Sequence, residues 1–217
     1  MEWTLRRLEW RAMPFITFEG IEGSGKSTQA RRLAEALGAV LTFEPGATPL
    51  GRKVRELLLS IEGASISAET ELLLFFADRA QHVSEVIQPA LAAGKTVISD
   101  RFVDSTLAYQ GFGRGLPEAQ IRALAEIATA GIRPDLTFLL DVSVETGLGR
   151  VGRRGAGDRI EVEQHTFHHR VADGFRALAA QEPGRWVRVD GERDPDLIAR
   201  EIYDAAVARG LAGHAVR

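Results

Sequence analysis

A glycine-rich run that ends in Lys26 and Ser27 is the part of the sequence best suited to chemistry. Residues 20–27 read Gly-Ile-Glu-Gly-Ser-Gly-Lys-Ser, and they follow an apolar stretch and precede a helical pattern. Glycines allow positive φ and let backbone N–H groups approach phosphate oxygens, and the helix that follows contributes positive charge at its N-terminus. Lys26 can then reach the β- and γ-phosphates of a nucleotide, while the Ser27 hydroxyl can ligate Mg²⁺. The pattern predicts a phosphate-binding loop whose members are Gly20, Ile21, Glu22, Gly23, Ser24, Gly25, Lys26 and Ser27.

An acidic and basic pair, Asp100 and Arg101, follows a second apolar run. The carboxyl ends of strands in an open α/β sheet are where ligands bind. An aspartate there can hold Mg²⁺ directly or through water, and an arginine offers a two-pronged contact to a phosphate. The alternative is a structural ion pair at a strand end.

Residues 150–159 hold four arginines and three glycines in ten positions. Such a run is charged, flexible and poor at packing. Beside a phosphate-binding loop it predicts a mobile lid that closes over transferring phosphates and excludes water, and the alternative is a solvated connection. The candidate lid residues are Arg150, Arg153, Arg154 and Arg159.

Two helical patterns carry side chains that could bind a base and a sugar. Phe75 and Arg79 lie four residues apart and share a helix face, so that an aromatic ring could stack on a base beside a donor to its carbonyl oxygen. Thr106, Tyr109 and Gln110 have the same kind of spacing after Asp100-Arg101. Taken alone, each set is better explained by core packing or helix capping.

The elements that must position these residues alternate between strand and helix patterns, which predicts an α/β fold with a parallel sheet covered on both faces. Gly38 and Gly131 are expected to follow helix ends, and Pro117 suits a first helical position. Residues 68–93 read as one long helix with Pro89 as a possible kink. The five predicted strands are 15–19, 39–43, 96–100, 136–141 and 186–190.

Composition limits the possible classes of protein. With 217 residues, of which 45% are hydrophobic, we expect a single domain over residues 13–217, preceded by an extension, 1–12, that is frayed or upstream of the true start. The net charge of −3 gives no global basic field for nucleic acid or an anionic membrane, and a cytoplasmic protein is the default. The absence of cysteine excludes thiolate catalysis. His165, His168 and His169 are interpreted as a polar helix face rather than a zinc site.

Taken together, these segments resemble the thymidylate kinases, which make dTDP from dTMP and ATP. The resemblance spans nearly all of residues 13–161, and the block from Asp100 to Gly111 is its most specific part. It implies a three-layer P-loop nucleoside-monophosphate kinase fold of five parallel strands, with Mg²⁺ as cofactor and a homodimer packed through helices within residues 68–93. The matching segments are Glu19–Ser27, Glu44–Thr48, Phe75-x3-Arg79, Asp100–Gly111, Arg133–Leu136 and Arg154–Glu161.

The resemblance also implies roles for individual residues. Phe75 is expected to stack on thymine, Arg79 to bond its O4, and Gln110 to lie against the base edge. Tyr109 is expected beneath the deoxyribose, where it disfavours a 2′-hydroxyl. The remaining expected dTMP contacts are Glu44, Arg55, Arg101 and Thr106; the expected catalytic residues are Lys26, Arg101 and Arg154; and those expected near Mg²⁺ are Ser27, Glu22 and Asp100.

Departures from the family pattern lie mainly around the second strand. Phe43 stands where an arginine is common, and Ala47 replaces a glycine. The loop lacks the arginine that some members carry there, so the lid should supply the catalytic arginine, with Arg154 first. One rival function is a kinase for another monophosphate. A GTPase-like switch is a second rival, although its usual Asn-Lys-x-Asp element is missing because the chain contains no Asn.

Overall fold

The computed structural model describes residues 13–60, 65–153 and 158–211. The N-terminal extension and Arg154, which the sequence analysis singled out, lie outside these residues. Five parallel strands form one sheet in the order β2-β3-β1-β4-β5. The strands are β1 (Phe15–Glu19), β2 (Val40–Phe43), β3 (Val97–Asp100), β4 (Leu136–Asp141) and β5 (Trp186–Asp190).

Each predicted strand is present, and two begin one residue later than expected. The sheet places β1 between β3 and β4, with Phe18 level with Asp100 on one side and Phe138 on the other. Strands β3 and β2 therefore lie on one side of β1 and strands β4 and β5 on the other, and the carboxyl ends of β1 and β3 lie side by side. This topological switch is where open α/β sheets form a ligand crevice.

The helices cover both faces of this sheet, as the strand and helix alternation predicted. The first helix ends where Gly38 adopts a left-handed conformation, as expected. Pro117 is not the first helical residue but the residue that precedes it. The helices are α1 (Lys26–Leu37), α2 (Pro49–Leu59), α3 (Ala68–His82), α4 (Gln88–Ala92), α5 (Val103–Thr106), α6 (Glu118–Thr129), α7 (Val144–Gly152), α8 (His165–Gln181) and α9 (Pro195–Ala208).

Residues 68–92 form a nearly continuous helical rod, but not a regular one. A π-helical segment, Val83–Ile87, joins α3 to α4 immediately before Pro89. Proline has no N–H to continue the α-helical bonding and its ring crowds the preceding turn, so the wider π turn accommodates it without a break. A second π-helical segment, Leu107–Gly113, follows α5. The sequence pattern predicted neither.

Alternation along the strands divides the core between the two faces. Ile16 and Phe18 pack with α1 and α9, together with Phe138 and Val189. The opposite face packs α3, α6 and α8 around the second π-helical segment. Within the described residues, no helix combines the length and the apolar character that crossing a membrane requires.

Candidate active site

The glycine-rich run forms a tight loop between β1 and α1. Gly20, Gly23 and Gly25 all have positive φ, at 141°, 70° and 97°. A Cβ on Gly23 would lie 2.1 Å from the carbonyl oxygen of Gly147, so the loop also packs directly against α7. Glycine is required at this position for both reasons, conformation and close approach. The loop thus has the shape that the sequence predicted.

Lys26 begins α1 and folds back across the loop. Its Nζ donates to the Ile21 carbonyl oxygen at 2.7 Å and to Ser24 Oγ at 3.3 Å. Burial, together with the charge of Arg101, lowers the pKa of Lys26 to about 8. Loop oxygens therefore hold the ammonium group in a place that favours an anion.

Ser27 and Asp100 meet where α1 begins and β3 ends. Ser27 Oγ donates to Asp100 Oδ2 at 2.5 Å, whereas the buried Asp100 Oδ1 has no hydrogen-bond partner. An unpaired buried carboxylate oxygen is costly unless a cation or donor satisfies it. The oxygen ligands and the negative charge at this point fit Mg²⁺.

Arg101 leaves β3 with a φ of 75°, which is unusual for a residue with a side chain. Its guanidinium group donates to Ser105 Oγ at 3.0 Å and to Glu22 Oε1 at 2.9 Å. Tyr109 Oη donates to the same Glu22 oxygen at 2.6 Å. Burial opposes ionisation of Glu22, but Arg101 and Lys26 outweigh it and lower the Glu22 pKa. The strained turn therefore aims Arg101 at the phosphate-binding loop.

Arg79 is completely buried on α3, where its guanidinium group donates to one carboxylate, one hydroxyl and one carbonyl oxygen. Nε donates to Glu44 Oε2 at 2.8 Å, Nη1 to Thr106 Oγ1 at 3.0 Å and Nη2 to the Phe102 carbonyl oxygen at 3.0 Å. A guanidinium group has five N–H donors, so two remain for a ligand. The second oxygen of Glu44 lies 2.8 Å from His82 Nδ1. Both carboxylate oxygens of Glu44 are therefore engaged, one by Arg79 and the other by His82.

The second π-helical segment presents Tyr109 and Gln110 to the same space as Thr106 on α5. Single π turns often occur at functional sites because they shift side chains relative to a regular helix. Burial raises the pKa of Tyr109 well above its ordinary value, so its hydroxyl stays neutral. The expected common surface of these three residues exists, although the helix that forms it is not a regular α-helix.

The candidate lid arginines lie in different places. Arg150, on α7, donates to the carbonyl oxygens of Gly23 and Gly191 at 3.2 and 3.1 Å, and so bridges the loop and the end of β5. Arg153 follows α7 and is exposed. Arg159 donates to Glu71 Oε2 at 2.6 Å and to the Leu58 carbonyl oxygen, and its lid role stays a prediction.

One cleft of about 730 Å³ joins these groups. It extends from the phosphate-binding loop past Arg101 to an aromatic and amide recess. Gly20, Ile21 and Ser24 are buried beneath its surface, and Arg153 and Arg159 do not line it. The predicted site residues that line it are Glu22, Gly23, Gly25, Lys26, Ser27, Glu44, Arg55, Phe75, Arg79, Asp100, Arg101, Thr106, Tyr109, Gln110 and Arg150.

The sequence analysis missed several residues at this site. Ser105 connects Arg101 to the buried Glu19, whose carboxylate accepts from Ser105 Oγ at 2.5 Å. Burial and the charge of Asp104 raise the pKa of Glu19 to about 8. Asp158, near the end of the arginine-rich run, lines the cleft. Their only sequence signal was membership of the segments quoted for the family resemblance.

His168 also departs from its interpretation. It is buried rather than part of a polar face, and its Nδ1 lies 3.8 Å from Glu22 Oε2. His169, the next residue, is exposed and lies near Glu145. Among the described residues no cluster of three or more histidine, aspartate or glutamate side chains could hold a metal ion. A metal at this site would therefore take most of its ligands from phosphates and water.

A glycine-rich loop between a strand and a helix, at the edge of a cleft that continues past Arg101, is the arrangement of a P-loop nucleotide kinase. Comparison with known proteins gives the particular family. A family model described as thymidylate kinase matches residues 18–202. The chain belongs to the thymidylate kinase family, and its reaction is ATP + dTMP = ADP + dTDP.

Individual relatives agree. The chain is 48% identical over 206 residues to a thymidylate kinase of Desulfovibrio desulfuricans, with 89% of this chain and 95% of the relative covered. It is 52% identical over 203 residues to that of Synechococcus sp. (strain JA-3-3Ab), covering 91% and 97%. The crystal structure of thymidylate kinase from Ehrlichia chaffeensis superposes with a TM-score of 0.73 at 36% identity, covering 89% of this chain and 98% of that one.

Proposed function

We propose that the cleft binds Mg-ATP at the phosphate-binding loop and dTMP in the recess around Phe75, and that the γ-phosphoryl group passes between them in line. The observation that carries this proposal is the continuity of the cleft from Lys26 to Gln110. Two anionic nucleotides can approach only where buried positive charge opposes their repulsion. Lys26 and Arg101 supply that charge at the junction.

On the acceptor side, the recess offers groups that match each part of dTMP. Phe75 is partly buried and lines the cleft, so that one ring face can stack on thymine. The two remaining donors of Arg79 can bond thymine O4, and Gln110 takes the base edge. Tyr109 lies between base and loop, at the sugar position, and Arg55 and Arg101 line the same cleft for the phosphate.

On the donor side, the loop N–H groups and Lys26 hold the ATP phosphates. Arg150 and Gly191 mark the crevice next to the loop where the adenosine would lie. Ser27 and Asp100 would hold Mg²⁺, and the orphaned Asp100 Oδ1 and Glu22 Oε2 both fit a cation there. When bound, the ion would neutralise phosphate charge and align the phosphates.

No general base is needed for this transfer. The second pKa of a phosphate monoester is about 6, so the attacking oxygen of dTMP is already ionised near neutral pH. The work of the protein is alignment and stabilisation of the charge that develops on the equatorial oxygens. Arg101 reaches this region from β3, and Arg154 remains the proposed lid contribution from outside the described residues.

We also propose a homodimer packed through α3. One strip of surface along α3 and the π-helical segment after it, flanked by the exposed Glu69 and Glu85, consists of Thr70, Leu73, Ala77, Ala80 and Ser84. They recur at helical spacing and none is charged, whereas a helix surface that faces water is usually rich in charge. A second copy of this surface is the partner that would cover it.

The acceptor side is tested by Phe75→Ala. We expect the KM for dTMP to rise about tenfold or more, because a stacking contact of roughly 1–3 kcal/mol is removed. The KM for ATP, measured in the same assay, should change less than twofold, since Phe75 is distant from the loop in sequence and lies at the other end of the cleft. Equal effects on both substrates would contradict the assignment of the recess to dTMP.

A further inference from the structure

Glu71 is a buried carboxylate one helical turn before Phe75, and neither the sequence patterns nor the proposed mechanism uses it. It lies on α3 with its side chain almost completely enclosed. Oε1 accepts from Gln110 Nε2 at 2.8 Å and from Arg114 Nε at 3.2 Å. Oε2 accepts from Arg114 Nη2 at 3.1 Å and from Arg159 Nη2 at 2.6 Å. Each oxygen thus has two donors.

This environment keeps Glu71 ionised. Burial opposes ionisation, but the hydrogen bonds from Arg114, Gln110 and Arg159 outweigh it and lower the pKa of Glu71. An ionised carboxylate can only accept hydrogen bonds. The atom of the Gln110 amide that faces Glu71 must therefore be the NH₂ group.

The orientation of this amide has a chemical consequence. A glutamine side chain presents a donor at one end and an acceptor at the other, and the two ends are nearly equal in shape. With its NH₂ group committed to Glu71, Gln110 has its carbonyl oxygen left for the cleft that it lines. An oxygen there accepts from the N3–H of thymine or uracil, whereas N3 of cytosine is itself an acceptor and would be repelled.

We propose that Glu71 is a positioning residue that fixes the amide of Gln110 and thereby selects bases that carry an N3–H. The proposal rests on the proposed function, in which Gln110 lies at the base edge. The two arginines hold Glu71 in turn, so the carboxylate cannot rotate away when the base leaves. If Glu71 instead served only to neutralise Arg114 and Arg159, removal of its charge would alter stability without altering the choice of base.

Glu71→Gln separates these roles. In this variant, Arg114 Nη2 and Arg159 Nη2 favour the amide oxygen of the new glutamine at the place of Oε2. The NH₂ group of the new glutamine then lies beside Gln110, and the Gln110 amide must reverse to accept from it. We expect the ratio of kcat/KM for dTMP to that for dCMP to fall about tenfold or more, the scale of one misplaced hydrogen bond in a buried site. An unchanged ratio in a folded variant would overturn the proposal.

The matched control is Glu163→Gln, since Glu163 Oε1 accepts from Arg114 Nη1 but does not touch Gln110. The same change of charge there should leave the ratio within twofold. In a Gln110→Ala background, Glu71→Gln should no longer change the ratio, because Glu71 acts through that amide. An equal fall in the ratio in both backgrounds would show that Glu71 acts by another route.

A measurement on the unaltered protein covers the case in which Glu71→Gln does not fold. The NMR signals of the Gln110 side-chain NH₂ group can be assigned by their loss in Gln110→Ala. Its hydrogens should exchange slowly with solvent, and the group should stay bonded to the Glu71 carboxylate when dTMP binds. Fast exchange, or transfer of the NH₂ bond to dTMP, would overturn the proposal. A wild-type enzyme that does not prefer dTMP to dCMP would instead refute the proposed function, and the role of Glu71 would fall with it.

Discussion

Burial affects the ionisation of single side chains at this site as much as their neighbours do. Lys26 is enclosed beside Arg101, and desolvation by burial, more than that neighbouring charge, lowers its pKa to about 8. Its type and spacing predicted the contact with phosphate, but not this sensitivity to pH. The shift in the Lys26 pKa arises first from burial in the cleft and then from the charge of Arg101, which is far away in sequence.

The lowered pKa predicts how ATP binding depends on pH. Above pH 8 the free enzyme loses the Lys26 proton, so the Kd for Mg-ATP should rise about three- to tenfold between pH 7.5 and 9. Titration calorimetry would measure this. Glu19 titrates in the same range, and Lys26→Met is the control: its weaker binding should show little dependence on pH over this interval. A wild-type Kd that stays constant would contradict the assigned pKa.

At the scale of elements, regular patterns were predictable and irregular ones were not. All five strands and the end of α1 at Gly38 followed from apolar runs and glycine punctuation. The two π-helical segments did not, because a π turn differs from an α turn by one residue and leaves the apolar pattern nearly intact. The positions of Tyr109 and Gln110 depend on one of them. Likewise, the pairing of Glu71 with Arg114 and Arg159 joins three separate segments, which no local spacing records.

The packing of α7 against the phosphate-binding loop gives a prediction for an element. A Cβ on Gly147 would lie 2.6 Å from the Glu22 carbonyl oxygen, whereas one on Gly149, in the same helix, would meet nothing within 4 Å. We expect Gly147→Ala to raise the KM for ATP at least several-fold and to lower the melting temperature, because the loop must move. Gly149→Ala should leave the KM unchanged and stabilise the helix by about 0.5–1 kcal/mol. Equal behaviour of the two variants would show that this contact does not shape the loop.

At the scale of the whole molecule, the sheet order brings the ends of β1 and β3 together, and α3 carries an uncharged strip of surface. The first property made the cleft predictable from the motifs, because strand ends in a parallel sheet share an edge. The second concerns assembly. Leu73 is exposed on this surface, and Leu197 is comparably exposed on α9, across the sheet.

These two leucines provide a test of the proposed homodimer. Leu73→Glu should shift the mass in solution from dimer to monomer, because it places two buried charges at the interface. Leu197→Glu should leave the dimer intact. Light scattering after size-exclusion chromatography would measure both. A wild-type monomer, or a Leu73→Glu dimer as stable as the wild type, would contradict packing through α3.

The central claim is that the recess at the end of this cleft accepts dTMP. The most direct measurement is the rate of ADP release from Mg-ATP with dTMP, dUMP, UMP, dCMP, dGMP and AMP offered separately. The site predicts rapid turnover with dTMP, slower turnover with dUMP and negligible turnover with the others, since in the proposed roles Arg79, Tyr109 and Gln110 each reject one part of the wrong nucleotides. Equal or faster turnover with another acceptor would contradict the assignment of the recess, and the phosphate-binding loop alone would remain explained.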